Sequence, residues 1–303
     1  MIRPVDALLE FLHAQHAQGV SHVHLDPAAR SGLRVLHEHL RTGKPPAPTP
    51  ALTPAAPPPG PVGNRPTLSA AGNLLDEGVQ VVPPLPMPQL VVEGATKAEK
   101  LAALSRQAEA WAPARALGSL REVMVFATGD AEARIMLIGE APGYEEEKKL
   151  EPFVGPAGQQ LDKILKAMGL ERSEVYISNI VKFRPATARQ TTNNRPPTPA
   201  EIAACMPLVR EEIRVLGPQC IIALGGSAAE SLLGNGGSVT SLRGSWHDFE
   251  GTPVRVTYHP SYLLRSANDI RTKRMVWEDM LAVMELTGMP ISDKQRGFFL
   301  PKN

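Results

Sequence analysis

The sequence is poor in cysteine, in net charge and in long apolar runs. Two cysteines among 303 residues cannot form the disulfide framework of a small secreted protein, and they favour a reducing compartment. A net charge of +1 excludes a chain that is basic overall, so any nucleic-acid site must be a local patch. No apolar run approaches the roughly 20 residues of a membrane-spanning helix. The opening MIRPVDALLEFL lacks the apolar core of a signal peptide, and we expect a cytoplasmic protein without a membrane segment.

Proline is concentrated in residues 44–95 and divides the chain. This composition predicts an extended, largely disordered linker, because proline removes backbone donors. Residues 1–43 carry apolar residues at helical spacing and predict a small helical segment. The histidines of that segment lack the spacing of a zinc site and are expected to be solvated: His13, His16, His22 and His24. A globular domain is predicted over 96–289, followed by a tail at 290–303 for which disorder is favoured.

Short apolar runs alternate with helical patterns in the globular domain. The predicted strands are Val123–Phe126, Arg134–Ile138, Val175–Ile180, Cys220–Leu224 and Val254–Thr257. Helices fill the intervals, among them Gly158–Met168 and Pro199–Leu216. The alternation predicts an α/β fold of three layers, α/β/α, with a central and mainly parallel sheet of four to five strands.

Polar and aromatic residues follow the predicted strands. Glu140 begins the turn after one strand, and Phe153 lies between Pro152 and Gly155 soon after it. Asn179 and His259 stand at the ends of two further strands. Ligands of open α/β sheets bind at the carboxyl edge, where such residues meet. Asparagine offers a donor and an acceptor, phenylalanine a stacking face and histidine a donor to a developing anion. The set predicts recognition of a planar heterocycle.

Several motifs occur in a fixed order: GEAPG, PFVG-x-AG, N-x-x-K-x-RP, NRPPTPAEI and HPSYLLR. Together they resemble the uracil-DNA glycosylase superfamily, specifically its family 4 bacterial and archaeal type, over roughly Ala108 to Leu286. The resemblance implies a monofunctional hydrolase of base excision repair, which flips uracil out of DNA and hydrolyses its N-glycosidic bond.

The resemblance also implies a substrate pocket. Phe153 would stack on the flipped uracil, and Asn179 would bond the uracil edge and reject cytosine, whose amine presents the wrong polarity. Ala141 occupies the position at which family 1 enzymes carry an aspartate, and it cannot activate water.

Three residues are implied in the chemistry. His259 would stabilise negative charge on uracil O2 as the bond breaks. Glu140 and Glu146 are the candidate carboxylates for orienting water or stabilising a sugar cation, and Glu146 is ranked first.

DNA contacts are implied in the loop that follows the last parallel strand and in a local basic patch. Leu263 or Leu264 would enter the minor groove as a wedge, and Ser261 and Arg265 would contact phosphate. The basic patch is expected to comprise Lys182, Arg184, Arg195 and Arg243.

The sequence departs from family 4 at the cofactor. Family 4 members hold a 4Fe–4S cluster on four cysteines. At those positions this chain has Trp111, Ala114, Phe183 and Cys205. Because three ligands are missing, we expect neither metal nor cofactor, and we expect Trp111 and Phe183 to fill the volume. The remaining cysteine, Cys220, begins an apolar strand and is expected in the core.

Two alternatives stay open at this point. A non-catalytic module that binds uracil or damaged DNA is compatible with Ala141 and the missing cluster ligands. An unrelated nucleotide-binding protein would need a phosphate loop, and neither G-x-x-x-x-G-K-[ST] nor G-x-G-x-x-G is present. The expected partner is uracil-containing DNA, bound by a monomer associated with the bacterial nucleoid. Residues 1–95 are the candidate contact for a repair or replication partner.

Overall fold

The computed structural model describes residues 88–234, 236–265 and 269–300. The predicted helical segment at 1–43, its histidines and linker residues 44–87 lie outside this range. The last part of the predicted linker is packed rather than free. Leu90 and Val92 contact the hydrophobic core, and the side chain of Gln107 accepts from Val91 N at 3.0 Å. The folded domain therefore begins before residue 96.

Six strands form the central sheet, in the order β2-β4-β3-β6-β8-β7. The strands of the described residues are β1 Leu120–Met124, β2 Ala127–Gly129, β3 Ile135–Gly139, β4 Tyr176–Asn179, β5 Phe183–Pro185, β6 Cys220–Leu224, β7 Trp246–Phe249 and β8 Thr252–Thr257. β4, β3, β6 and β8 are parallel, while β2 and β7 pair antiparallel at the two edges. β1 and β5 form a separate antiparallel pair. The mainly parallel sheet is confirmed, with six strands rather than four to five.

The described residues form ten α-helices, and several of them begin at a capping residue. They are α1 Lys97–Glu109, α2 Ala112–Arg115, α3 Tyr144–Lys149, α4 Pro156–Met168, α5 Pro199–Leu216, α6 Gly226–Leu233, α7 Val239–Leu242, α8 Pro260–Arg265, α9 Ile270–Leu286 and α10 Asp293–Arg296. α5, for example, starts with a capping box between Thr198 and Glu201. It ends at Gly217, whose left-handed φ of 57° closes the helix.

Helices cover both faces of the sheet. Successive residues of β3 point to opposite sides, so Met136 and Ile138 join one core cluster and Ile135 and Leu137 the other. The first cluster contains residues of α1, α5 and α6, and the second contains residues of α4 and α9. The α/β/α arrangement is therefore confirmed. None of the helices in the described ranges combines the length and apolar character that a bilayer crossing requires.

The C-terminal segment packs against the domain, contrary to the disorder favoured from the sequence. Trp277 Nε1 donates to Gln295 O at 2.6 Å, and Gln295 Nε2 donates to Ala167 O at 2.9 Å. The Phe298 ring lies 5.2 Å from the Trp277 ring. These contacts join α10 to α4 and α9, so residues 290–300 belong to the fold.

Candidate active site

Two neighbouring strands end side by side at the carboxyl edge of the sheet. Gly139 is the last residue of β3, Asn179 is the last residue of β4, and the two are partners in the parallel register. Asn179 is only 2% exposed. A buried amide at this edge is available to a ligand that satisfies both its donor and its acceptor.

Gly139 lets the Asn179 amide and the ring of Phe153 lie next to each other. A Cβ atom at Gly139 would lie 2.4 Å from Asn179 Oδ1 and 2.4 Å from Phe153 Cζ. Both distances are far below van der Waals contact, so only glycine allows both side chains to pack against the strand end. The amide and the ring are thereby brought together, as the strand-end pattern predicted.

Phe153 has an unusual backbone conformation. Its φ of 56° lies in the left-handed region, which residues with a side chain rarely adopt. The ring is 5% exposed, and its centroid lies 5.6 Å from the centroid of the His259 ring, with 33° between the two planes. The aromatic wall and the imidazole therefore border the same space.

His259 follows β8 directly and has a defined tautomer. The backbone N–H of Ser261 donates to His259 Nδ1 at 3.2 Å, and the Ser261 hydroxyl lies 2.8 Å from the same nitrogen. Because a backbone N–H is always the donor, Nδ1 must be the acceptor, and the proton of the neutral ring resides on Nε2. Ser261, predicted to contact phosphate, is thus placed to orient the imidazole.

The environment keeps His259 neutral. Burial lowers its pKa to about 4, and the positive charge of Arg265 acts in the same direction. The Glu146 carboxylate opposes these effects. At neutral pH the ring is therefore an uncharged donor through Nε2–H.

Glu146 links two active-site loops. Its Oε2 accepts from Gly143 N at 3.1 Å, and its Oε1 accepts from Val154 N at 3.1 Å and from Gly155 N at 2.9 Å. The turn after β3 is thereby fastened to the loop that carries Phe153. This geometry gives Glu146 a positioning task and removes the reason to rank it first for orienting water.

Glu140 has a carboxylate oxygen that is free to accept a hydrogen bond. Its Oε1 is buried and has no hydrogen-bond partner within the described residues. Burial raises its pKa, and a hydrogen bond with Ser227 opposes that rise. The neighbouring Ala141 packs against the core. A buried acceptor without a partner is costly unless a ligand or water completes it, so Glu140 is placed to bind one.

The family model of the uracil DNA glycosylase superfamily matches residues 126–281, which include every strand end described above. The chain belongs to the uracil DNA glycosylase superfamily. A type-4 uracil-DNA glycosylase of Thermotoga maritima is 42% identical over 163 residues, which are 53% of this chain and 81% of the relative. A type-4 enzyme of Sulfurisphaera tokodaii is 34% identical over 183 residues, 57% of this chain and 79% of the relative. A type-5 uracil-DNA glycosylase of Pyrobaculum aerophilum is 30% identical over 173 residues, 52% of this chain and 71% of the relative.

The superfamily loop that begins at His259 is partly helical here, and α8 distinguishes its two leucines. Leu263 is 4% exposed, whereas Leu264 is 43% exposed. Leu263 is therefore excluded as a wedge, because it already packs inside the protein. Leu264 and Arg265 are exposed, and the DNA contacts expected of them stay predictions.

The predicted basic patch is wrong for its two central members. Lys182 is fully buried and forms an ion pair with Glu212, which also accepts from Tyr176 OH at 3.0 Å. Arg184 is 1% exposed, and its guanidinium bonds Glu147 Oε2 at 2.9 Å. Charges buried and paired in this way cannot bind phosphate without unpairing their partners.

The remaining donors of Arg184 bond the loop that follows β5, residues 186–194. It donates to Asn194 Oδ1 at 2.9 Å, to Thr191 O at 2.8 Å and to Asn193 O at 2.7 Å. Its task is therefore to fix that loop against α3. The other two members of the patch are similarly engaged, because Arg195 pairs with Glu201 at 2.6 Å and Arg243 with Asp279 at 3.1 Å.

The positions of the family 4 cluster do not fit a 4Fe–4S group in this chain. Trp111, Ala114, Phe183 and Cys205 are all buried and belong to one apolar cluster. Trp111 Nε1 donates to Ala204 O at 2.6 Å, and the Arg115 guanidinium lies 4.4 Å from the centre of the Phe183 ring. A single thiol remains, and burial raises its pKa. Cys220 belongs to the other core cluster. An indole and a phenyl ring supply no iron ligand.

Sequence reasoning missed two residues of this site. Gly139 follows the predicted strand Arg134–Ile138, and the sequence does not show that its missing side chain lets Asn179 and Phe153 meet there. Arg172 lies in a short 3-10 helix, Arg172–Glu174, and bonds the backbone of the Phe153 loop. Nothing in the local pattern around Arg172 signals this contact, because its partners lie about twenty residues earlier in the chain.

Proposed function

We propose that this protein is a monofunctional uracil-DNA glycosylase of base excision repair, which hydrolyses the N-glycosidic bond of uracil in DNA. The observation that carries this proposal is the joint placement of three groups. The Phe153 ring and the Asn179 amide lie side by side against Gly139, and the neutral His259 borders the ring. A stacking face, a paired donor and acceptor, and a donor to an anion are what excision of a flipped uracil requires.

Recognition of uracil depends on Phe153 and Asn179. The base must leave the duplex stack before it reaches a pocket inside the protein. We propose that it stacks on Phe153 and that the Asn179 amide bonds its polar edge. Cytosine would present its amine at that edge and leave a buried polar group unmatched, which is the strongest basis for discrimination.

Bond cleavage depends on His259 and Glu140. As the bond between N1 and the sugar breaks, its electron pair moves onto the base, and negative charge develops on O2. The neutral His259 ring would donate a hydrogen bond from Nε2–H to that oxygen and so stabilise its negative charge. The sugar, which carries positive charge, is attacked by water. The unpartnered Oε1 of Glu140 is the carboxylate oxygen available to orient this water and accept its proton.

Fewer residues are proposed to contact DNA than the sequence suggested. We propose Leu264 as the wedge that fills the space left by the base, and Arg265 as a phosphate contact. Ser261 is proposed to orient the His259 imidazole rather than to contact phosphate. A monomeric state, a nucleoid location and a partner for residues 1–95 stay predictions.

The first experiment is an excision assay on an oligonucleotide with one uracil, followed by alkali. We expect strand cleavage at the uracil position, since an abasic site is labile to alkali. A matched oligonucleotide with thymine at that position is the control and should stay intact. Retardation of the uracil strand in a gel without alkali-dependent cleavage would instead support the non-catalytic binding module. If the uracil strand were neither cleaved nor retarded, both the glycosylase and the binding module would be contradicted.

We further propose that the enzyme works without an iron–sulfur cluster. The residues at three of the four family positions support this, because Trp111, Ala114 and Phe183 are packed in the core and cannot bind iron. We expect protein purified anaerobically to contain no stoichiometric iron and no broad visible absorbance, while it excises uracil. The measurement is iron analysis beside the excision assay on the same sample. About four iron atoms per chain, the content of one such cluster, would overturn the prediction.

A further inference from the structure

The ring of Phe153 reaches the pocket only because its backbone adopts a disfavoured conformation. The φ of 56° at Phe153 is accompanied by a φ of 60° at Leu150, so the loop contains two left-handed residues that are not glycine. Such residues persist where surrounding contacts fix the backbone more strongly than the local preference opposes it. The contacts that fix this loop therefore determine whether the aromatic wall is in place.

Glu146 bonds the backbone after Phe153, and Arg172 supplies the contacts to Pro152 and to Phe153 itself. Its Nη2 donates to Pro152 O at 2.7 Å, and its Nη1 donates to Phe153 O at 3.1 Å. The two carbonyls belong to consecutive residues, and they are bonded by two nitrogens of one planar group. The guanidinium therefore fixes the orientation of both peptide planes around Phe153.

Two carboxylates fix the guanidinium in turn. Nη1 also bonds Asp162 Oδ1 at 2.9 Å, and Nη2 also bonds Glu151 Oε1 at 3.1 Å. The Arg172 side chain is 23% exposed, while Glu151 and Asp162 are 42% and 46% exposed. The ion pairs lie near the surface and contribute little by themselves. The hydrogen bonds to the carbonyls of Pro152 and Phe153 are the contacts that connect Arg172 to the active site.

α4 also approaches the Phe153 carbonyl closely. A Cβ atom at Gly158 would lie 1.6 Å from Phe153 O, so the helix backbone rests directly on this peptide group. The carbonyl therefore contacts both α4 and the guanidinium, and its rotation would break the hydrogen bond from Arg172. Rotation of that peptide would move the ring away from Asn179 and His259.

We propose that Arg172 is a positioning residue for uracil excision, which acts through Phe153 by holding the backbone that presents its ring. This inference rests on the proposed function, since it assigns Phe153 the stacking of the base. Arginine is suited to the task because its planar fork provides donors in fixed directions. Lysine provides one ammonium, which can pair with the carboxylates but cannot bond two consecutive carbonyls in this geometry.

The test uses Arg172→Gln and Arg172→Lys in the full chain. We expect kcat/KM for uracil excision to fall by about tenfold to a hundredfold in Arg172→Gln, since misplacement of a reacting group by about 1 Å has effects of that size. Arg172→Lys keeps the positive charge between the carboxylates and should fold, yet it should lose at least about fivefold because the carbonyls are released. Inhibition by free uracil should weaken in both variants, because the stacking face is displaced.

The matched control removes the ion pairs and keeps the arginine. In the double variant Glu151→Gln, Asp162→Asn, the neutral amides still accept from the guanidinium, and both carbonyl bonds remain. We expect its kcat/KM to stay within about threefold of the parent, as surface ion pairs contribute little. A loss equal to that of Arg172→Gln would show that charge near the surface is responsible, and would overturn the proposal.

A double-mutant cycle with Phe153→Ala decides whether Arg172 acts through Phe153. If the arginine only positions the ring, Arg172→Lys should cost less than about twofold further activity once the ring is gone, because residues that share one effect are not additive. Full additivity would overturn the proposal and indicate a general structural role. Failure of the parent protein to excise uracil would contradict the proposed function. Excision by the parent with unchanged Arg172 variants would contradict this inference alone.

Discussion

Replacing Asn179 by Asp is expected to reduce uracil excision by more than about a hundredfold while the fold persists. Asn179 is 2% exposed at the end of β4, so the new carboxylate would be buried at the polar edge of the base. It would face uracil O4 with an acceptor in place of the amide donor. A mismatch of about 3–4 kcal/mol in the transition state corresponds to roughly 10²–10³ in rate.

The measurement is kcat/KM from single-turnover excision, with thermal unfolding as the check on folding. Asn193→Asp is a matched control, because it makes the same chemical change in an exposed loop residue whose Oδ1 still accepts from Thr191 N. We expect the control to retain the activity of the parent. If Asn179→Asp retained it too, Asn179 could not bond the base, and the proposed pocket would be wrong.

The sequence was sufficient to predict the centre of the fold and not its edges. β3 and β6 are short apolar runs buried on both faces, and a parallel central strand has that signature. β4 and β8 contain polar residues as well, but their apolar residues are buried too. β2, β5 and β7 are three or four residues long and pair at a sheet edge or in a separate ribbon. Short strands of that kind are specified by their partners rather than by their own periodicity.

The residues at the strand ends were predicted in the same way, because topology places them. Asn179, His259 and Phe153 follow from where parallel strands stop and which chemistry is found there. The basic residues could not be predicted, because a sequence does not show which cation is paired. The partner of Lys182 is Glu212, thirty residues later on α5, and this pairing exists only after the helix packs against β4.

The two leucines of α8 show a similar limit. A loop would leave both Leu263 and Leu264 free to enter DNA, and the sequence gives no preference between neighbours. The chain forms α8 instead, and adjacent residues of a helix point about 100° apart. Leu263 is therefore directed inward and Leu264 outward, and the candidate wedge is decided by helical geometry.

A second large effect is expected at Gly139, from the addition of a single methyl group. A Cβ atom there would lie 2.4 Å from Asn179 Oδ1 and 2.4 Å from Phe153 Cζ, and the Phe153 and Asn179 side chains are buried. The new methyl group must displace the amide, the ring or both, while β3 keeps its pairing with β4 and β6. Because a shift of about 1 Å in a positioned group costs about a hundredfold in rate, we expect Gly139→Ala to lose at least that factor in kcat/KM.

Gly236→Ala provides the matched control for Gly139→Ala. Gly236 has no heavy atom within 4 Å of the position of a new Cβ, so the same methyl group meets open space there. Its excision rate should equal that of the parent.

Both proteins are compared by single-turnover excision, by inhibition with free uracil and by thermal unfolding. If Gly139→Ala unfolded near the temperature of the control, excised uracil at the parental rate and was inhibited equally by uracil, the base could not be held by Asn179 and Phe153. The recognition step would then have to be placed elsewhere along the sheet edge. If inhibition and excision are lost together while the protein stays folded, the missing side chain at Gly139 is what lets Asn179 and Phe153 take the positions from which they hold the base.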